Sequence, residues 1–229
     1  LVAELVEISH LQFGALFNRA GLRLQVAQNQ PDQRRFAGAV RTKQTQLIAT
    51  QQAARKVAKY LDTEHTEVTF TPQEGIAHLT DVIYSLESYD TTTVRASTPM
   101  WLLCRYIKQK TNCRYIFSGE GSDELLGGYL YFHNAPNIDE FSCENMRRLR
   151  LIHQFDGLRA DRCAGAHGLD LIVPFLDKNF IDLCMRMNQN DKVGPIEKSI
   201  LREAFEGYLP HDILWRQKDG MSDAVGTNW

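Results

Sequence analysis

The chain has 229 residues, 43% of them hydrophobic and 24% charged, and a formal net charge of −2. That balance is ordinary for a globular protein able to bury a core; it lacks the basic excess of a nucleic-acid binder, and no apolar run approaches the ~20 residues that cross a membrane. The five cysteines (Cys104, Cys113, Cys143, Cys163 and Cys184) show no CxxC or CxxH spacing, so they read as reduced, mostly buried thiols of a cytoplasmic protein rather than a disulfide framework or zinc site.

The first residues, LVAELVEISH, carry acids and no basic region and do not read as a signal peptide. Trp229 is an odd last residue, which suggests a piece of something longer. Gln25 to Gln33 reads as a polar loop broken by Pro31. From Thr45 to Leu61, Ile48, Ala53, Ala54, Val57, Ala58 and Leu61 recur at helical spacing. Glu67 to Phe70 alternates as a strand with Val68 and Phe70 on one face. Pro72 then opens a helix with Ile76, Leu79, Ile83 and Leu86 on one stripe. Ser97-Thr98-Pro99 is a hydroxyl cap followed by proline and predicts a helix start, with the helix running to Lys108.

A short β-rich run, Arg114 to Phe117, leads into a Ser-Gly turn and another helix. Alternating strands and helices predict an α/β fold, a parallel sheet flanked by helices, with ligands at the carboxyl ends of the strands. After Asn134 the pattern is mostly helical: Asp139–Phe155, Asp177–Met187 and Ile196–Phe205 form a helical C-terminal part placed to close over the same site. Arg34-Arg35 and Arg147-Arg148 read as solvated faces. His133 and His167 belong to no HExxH pattern and read as hydrogen-bonded structural residues.

Three segments can carry chemistry. Ser118-Gly119-Glu120-Gly121-Ser122-Asp123-Glu124 follows a strand and opens a helix. Its glycines allow close backbone approach to a ligand, Ser122 can cap the helix, and the helix start suits an anion. Acids beside phosphate require a bridging cation, which points to Mg²⁺. Read alone, the segment is equally a capped helix after a glycine turn. Arg95, within Thr91 to Met100 (TTTVRASTPM), is a clamp for a carboxylate or a surface arginine in a polar loop. Lys218, in Trp215-Arg216-Gln217-Lys218, is a stabiliser of transferring phosphoryl or acyl charge, or a solvated lysine.

Taken in order, five stretches resemble the synthetase domain of glutamine-hydrolysing asparagine synthetase: Lys56–Ile76, Val82–Met100, Phe117–Pro136 (FSGEGSDELLGGYLYFHNAP), Leu158–Asp182 and Ile196–Lys218. The resemblance covers roughly Gln52 to Gly226. It implies a pyrophosphatase-loop domain of the adenine-nucleotide alpha-hydrolase-like type, spanning 1–229, with the N-terminal glutaminase domain and C-terminal tail absent. It also implies an AMP-forming carbon–nitrogen ligase that uses ATP and Mg²⁺. Aspartate would attack the α-phosphorus of ATP to give a β-aspartyl-adenylate and pyrophosphate, and ammonia, free or from a glutaminase domain or subunit, would displace AMP.

By the same resemblance Ser118 and Gly119 are ATP-binding, as are Leu16 and Gly38 in the two N-terminal strands. Glu120 serves adenylate formation and ammonia use, Asp123 is associated with the metal, Thr92 and Arg95 hold aspartate, and Lys218 steadies charge. The sequence departs from the pattern at Phe13–Ala27, where the family reads SGGLDSS: the metal-binding aspartate becomes Arg23 and the serines become Leu24 and Gln25. Ile172 replaces the arginine of R-V-P-F-L-D. These departures keep a second reading open, a degenerate relic of the domain that binds nucleotide or is inactive. A related adenylating enzyme such as a β-lactam synthetase fits the Thr91–Met100 and Tyr129–Pro136 segments less well.

Overall fold

The structure, a computed structural model, describes residues 2–3, 38–39 and 44–217. The first described helix, α1 (Gln44–Tyr60), turns Ala53, Ala54, Val57 and Ala58 inward. Its exposed face reaches two neighbours, through Arg55 to Glu67 (Nη2 to Oε2, 2.9 Å) and through Lys56 to Asp212. Three two-residue strands, β1 (Val2–Ala3), β2 (Gly38–Ala39) and β3 (Thr66–Glu67), form one sheet. β1 and β2 are antiparallel and β2 and β3 parallel. β3 is shorter than the Glu67–Phe70 strand of the sequence pattern, and only Glu67 is common to both. Val68 is nevertheless buried and Phe70 packs on the core.

The helical stripe after Pro72 divides in two. In α2 (Pro72–Ala77), Thr71 accepts from the Glu74 amide at 3.2 Å and the Glu74 carboxylate accepts from the Thr71 amide, a reciprocal capping box. His78 ends α2 and begins α3 (Leu79–Leu86), which buries Val82 and Leu86. The next helix corrects the sequence pattern: α4 runs Thr91–Lys110, so Ser97-Thr98-Pro99 lies inside it rather than at its start. The cap is Asp90, whose Oδ2 accepts from the Thr93 amide and hydroxyl, both at 2.7 Å. An earlier capping carboxylate outcompetes the later hydroxyl signal. Thr98 turns its hydroxyl onto the Val94 carbonyl at 2.9 Å, and Ser97, Thr98 and Pro99 are all buried.

Strands β4 (Tyr115–Phe117) and β5 (Asp170–Ile172) pair in parallel, Tyr115 against Asp170 and Phe117 against Ile172. Among the described residues they form a sheet separate from β1–β3, so the expected single parallel sheet stands as two parallel pairs plus one antiparallel contact. α4, α3 and α7 (Asp156–Gly165) pack together, and Ile116 and Leu171 of the strands join their core. The remaining helices are α5 (Ser122–Leu126), α6 (Ile138–Leu151), α8 (Lys178–Arg186), α9 (Ser199–Ala204) and α10 (His211–Leu214). α6 is followed by a short 3₁₀ turn, Ile152–Gln154, so the continuous Asp139–Phe155 helix of the sequence pattern is broken there. A second cluster around Leu125, Leu126 and Cys184 joins α5 to α8. The chain is thus a helix-rich α/β protein with small parallel pairings, and no described helix is long and apolar enough to cross a membrane.

Four of the five cysteines are buried and Cys143 is exposed. Burial pushes the Cys104 thiol up to about 12 and that of Cys184 to about 11, so neither is a reactive thiolate near neutrality. Arg148 departs from the solvated-face reading: its guanidinium lies 4.9 Å from the Tyr129 ring centroid. His167 sits edge-on to Trp101, and burial lowers its pKa.

Candidate functional site

The carboxyl end of β4 carries the turn on which the sequence concentrates its acids. The Ser118 amide donates to the Ile172 carbonyl at 2.9 Å, extending the parallel ladder by one rung. The chain then leaves the sheet, and the Ser118 hydroxyl accepts from the Glu120 amide at 3.3 Å. Gly121, at φ 91°, is the cap of α5, and a Cβ on it would lie 2.4 Å from Leu176 Cδ2. Both the backbone sign and the space therefore require glycine. Ser122 is not the cap: it is the first helical residue and is buried, and its place in the turn is taken by Gly121.

The three acids of the turn meet three different environments. Glu120 accepts from Arg159 Nη2 at 2.6 Å, and Arg159 Nη1 lies 2.7 Å from Asp156 Oδ1. Arg159 is 8% exposed and Glu120 14%. Burial holds the Glu120 carboxyl above its ordinary range while the Arg159 charge pulls the other way. Burial also works against charge on Arg159, but the Glu120 and Asp156 carboxylates overcome it and raise its pKa.

Glu124 is 3% exposed, and its Oε1 faces the Tyr129 hydroxyl, which also stands 3.2 Å from Asp156 Oδ2. The Tyr129 hydroxyl is the donor toward both carboxylates, and burial raises the Glu124 pKa while that hydrogen bond pulls it down. Glu120, Arg159, Asp156, Tyr129 and Glu124 then form one continuous polar chain behind the turn. The Glu124 backbone carbonyl accepts from Asn145 Nδ2, and Asn145 Oδ1 accepts from Lys192 Nζ at 2.9 Å. Asn145 and Lys192 are both almost fully buried.

Asp123, the third acid, is paired with Lys198, Nζ to Oδ1 3.0 Å. Its carboxylate folds over Gly128, where a Cβ would stand 1.9 Å from Asp123 Oδ1. Among the described residues no group of three His, Cys, Asp or Glu side chains is arranged to hold a metal by itself. The donor set does fit Mg²⁺ that arrives with a polyphosphate, because that ion takes one or two carboxylates, phosphate oxygens and water. All three acids of the turn are engaged by protein groups, Asp123 by Lys198, Glu120 by Arg159 and Glu124 by Tyr129.

Of the other sequence candidates, Thr92 is exposed in the first turn of α4, one turn before Arg95. The Arg95 Nε is buried with no hydrogen-bond acceptor among the described residues. Gly38 pairs with Thr66 in the other sheet. Leu16 and Lys218 lie outside the described residues, as does the Phe13–Ala27 stretch with Arg23, Leu24 and Gln25. Sequence reasoning missed Arg159, Asp156, Tyr129, Asn145, Lys192 and Lys198. The one local signal was the Asp156/Arg159 pair at helical i, i+3 spacing.

Comparison with known proteins places this geometry in context. A family model described as asparagine synthase matches residues 48–147 and 136–229. The chain is 52% identical over 180 residues to asparagine synthetase B [glutamine-hydrolyzing] of Escherichia coli, covering 77% of this chain and 32% of that protein. It is 52% identical to asparagine synthetase [glutamine-hydrolyzing] 1 of Saccharomyces cerevisiae (78% and 33% covered) and 51% identical to the Lotus japonicus protein of that name (77% and 32%). The chain spans about a third of the length of these relatives.

Proposed function

The chain belongs to the asparagine synthase family, and from that premise we propose that it carries the ATP-using half of asparagine formation, within an adenine-nucleotide alpha-hydrolase-like fold. The observation that carries this reading is the turn Ser118–Glu124 at the carboxyl end of a parallel strand pair, with a buried, arginine-clasped Glu120. The carboxyl ends of parallel strands are where α/β sheets take ligands.

In this reading an aspartate side-chain oxygen attacks the α-phosphorus of ATP, the bond to the β-phosphate oxygen breaks, and pyrophosphate leaves. Ammonia nitrogen then attacks the acyl carbon, AMP departs with the C–O electron pair, and one proton is released as the amide forms. Glu120 takes that proton. Burial raises its pKa, which makes it a stronger proton acceptor than an exposed carboxylate, and Arg159 keeps it oriented. Ser118 and Gly119 give backbone contact to the nucleotide; a Cβ on Gly119 would meet nothing within 4 Å, so the turn is open there. Arg95, whose Nε has no acceptor among the described residues, and Thr92 one turn away hold the aspartate carboxylate. Mg²⁺, when bound with ATP, would offset the repulsion between carboxylate and polyphosphate, with Asp123 as its protein ligand. Lys218 would steady the same charge.

The test is to incubate the chain with ATP, Mg²⁺, aspartate and ammonium and to follow pyrophosphate and asparagine. Aspartate-dependent pyrophosphate release is expected, and Glu120→Gln should lower asparagine formation by about 100-fold. ATP binding with no release in the unaltered chain overturns the reading in favour of the degenerate relic. No comparison favours that alternative, which rests on Arg23, Leu24 and Gln25.

A further inference from the structure

Helix α5, which carries Asp123 and Glu124 away from the turn, is five residues long, too short to supply donors for its own carbonyls. The amides of Gly127 and Gly128 both go to the Asp123 carbonyl, the second at 2.8 Å. In a longer helix the Gly128 amide would serve the Glu124 carbonyl instead. That carbonyl is met by a side chain from another element: Asn145 of α6 donates to it through Nδ2. The Asn145 oxygen in turn accepts from Lys192 Nζ at 2.9 Å, and Lys192 is the last residue of a 3₁₀ turn, Gln189–Lys192. Glu124, Asn145 and Lys192 are all buried, so water offers them no substitute partner.

The order of donors and acceptors along this line is forced. An ammonium only donates, so the Asn145 amide must turn its oxygen to Lys192. Its NH2 is then left for the Glu124 carbonyl, which only accepts. Turned over, the amide would set its NH2 against the ammonium and its oxygen against the carbonyl, two mismatches in a place without water. Lys192 thus fixes the sense of the amide, and the amide fixes the last turn of α5 against α6. Keeping a lysine here works against the fold. Burial opposes its charge, and among the described residues no carboxylate is bonded to it. An apolar residue of similar length would avoid that cost, but it could not orient the amide.

The placement of α5 matters to the whole turn. The Leu125 amide bonds the Gly121 carbonyl at 3.0 Å, so the last turn of the helix is tied to its glycine cap. Asp123 is packed over Gly128 in the same unit. Glu124 faces Tyr129, and Tyr129 leads through Asp156 and Arg159 to Glu120. We propose that Asn145 and Lys192 are positioning residues of the site: acting through α5 rather than on substrate, they set the placement on which Asp123, Glu124 and, by way of Arg159, Glu120 depend. The inference rests on the reading of this turn as the ATP-using site.

The test separates positioning from stability, using the whole chain and two variants. Lys192→Met removes the buried charge, so at pH 7 its urea midpoint should be no lower than that of the unaltered chain. Aspartate-dependent pyrophosphate release should nevertheless fall about tenfold in kcat, with KM for aspartate within about threefold, because the aspartate-facing residues lie on α4. Asn145→Asp keeps an acceptor for Lys192 but turns a second oxygen on the Glu124 carbonyl, and should lower kcat at least as much. A second readout needs no activity: in both variants the amides of the Gly119–Gly128 segment should exchange with deuterium about fivefold faster, with α4 unchanged, as followed by mass spectrometry. Unchanged exchange in that segment overturns the proposal, as does an unchanged kcat or a kcat that falls only in step with the urea midpoint. If Lys192→Met does not fold, Asn145→Asp decides on the same terms. An unaltered chain that releases no pyrophosphate sinks the ATP reading, and the exchange of α5 then decides by itself whether Asn145 and Lys192 hold it in place.

Discussion

The two ends of the β4–β5 pair carry the same chemistry in opposite surroundings. At the amino end Arg114 and Asp170 meet at 2.8 Å with side chains 71% and 51% exposed; at the carboxyl end Arg159 and Glu120 meet at 2.6 Å with side chains 8% and 14% exposed. Along the chain the strand β4 and the residues Ser118 and Gly119 lie between Arg114 and Glu120. Water screens the first pair and restores each ion when the other is removed, so it adds little to stability. The second pair has no such refuge. Its ions offset one another's desolvation, and the loss of one strands the other. A close salt bridge is therefore evidence of a constraint only where burial removes the alternative.

The sharpest way to break that contrast is Arg159→Leu, which should lower the unfolding free energy by about 3–5 kcal/mol in urea titrations. Adding Glu120→Gln should recover part of the loss, since it removes the stranded charge. A single-variant loss no larger than that of Arg114→Ala would erase the distinction between the two ends.

A buried cation without an acid partner among the described residues extends the comparison. Lys192 is 1% exposed, its ammonium is bonded to the Asn145 amide, and burial pushes its pKa down to about 8 from 10.5. The unfolded chain thus holds that proton more tightly than the folded one. The penalty of charging Lys192 is full below about pH 8 and disappears as pH rises toward 10.5. Relative to Lys192→Met, the unaltered chain should gain up to about 3 kcal/mol of stability across that window, read from paired urea titrations. A difference that stays flat with pH, or falls, would contradict the assignment.

A smaller effect, about 1–3 kcal/mol, is expected for Gly128→Ala, because its Cβ would collide with both the carboxylate and the Cα of Asp123. Thermal melts should show the loss, and an unchanged melting temperature would mean that Asp123 moves aside without strain. Arg114→Ala, at the exposed end, should leave the urea midpoint unchanged within error.

The sequence and the structure agree most where the decisive interactions are local. The β4–turn–α5 unit was legible because a β-rich run, two glycines and an apolar helix stripe all lie within Tyr115–Leu126. The Thr71/Glu74 box was not singled out, but Pro72 was enough to mark that helix start. The start of α4 was misplaced because two capping signals compete within nine residues, and the choice between Asp90 and Ser97 depends on which hydroxyls the core buries. Glu120 was recognisable as a site acid, whereas its partner lies 39 residues away. Lys198 lies farther still from Asp123, and no spacing rule links residues joined only by tertiary packing. The Lys192–Asn145 bond was hidden for a further reason: a lysine in a polar run such as Asn188–Lys192 reads as surface, and only the packing of α6 and α9 around it shows otherwise.

Pro99 shapes how the opening turns of α4 can behave. It has no amide hydrogen, so the carbonyl of Arg95 receives no bond from residue 99, and the ladder of α4 lacks a rung one turn beyond the segment that presents Thr92 and Arg95. The turns around the missing rung are therefore held by other means: Asp90 clasps the helix start, the Thr98 hydroxyl bonds the Val94 carbonyl, and Ala96, Ser97 and Thr98 are buried, so the placement of the two residues nearest the proposed aspartate depends on core packing rather than on the backbone ladder.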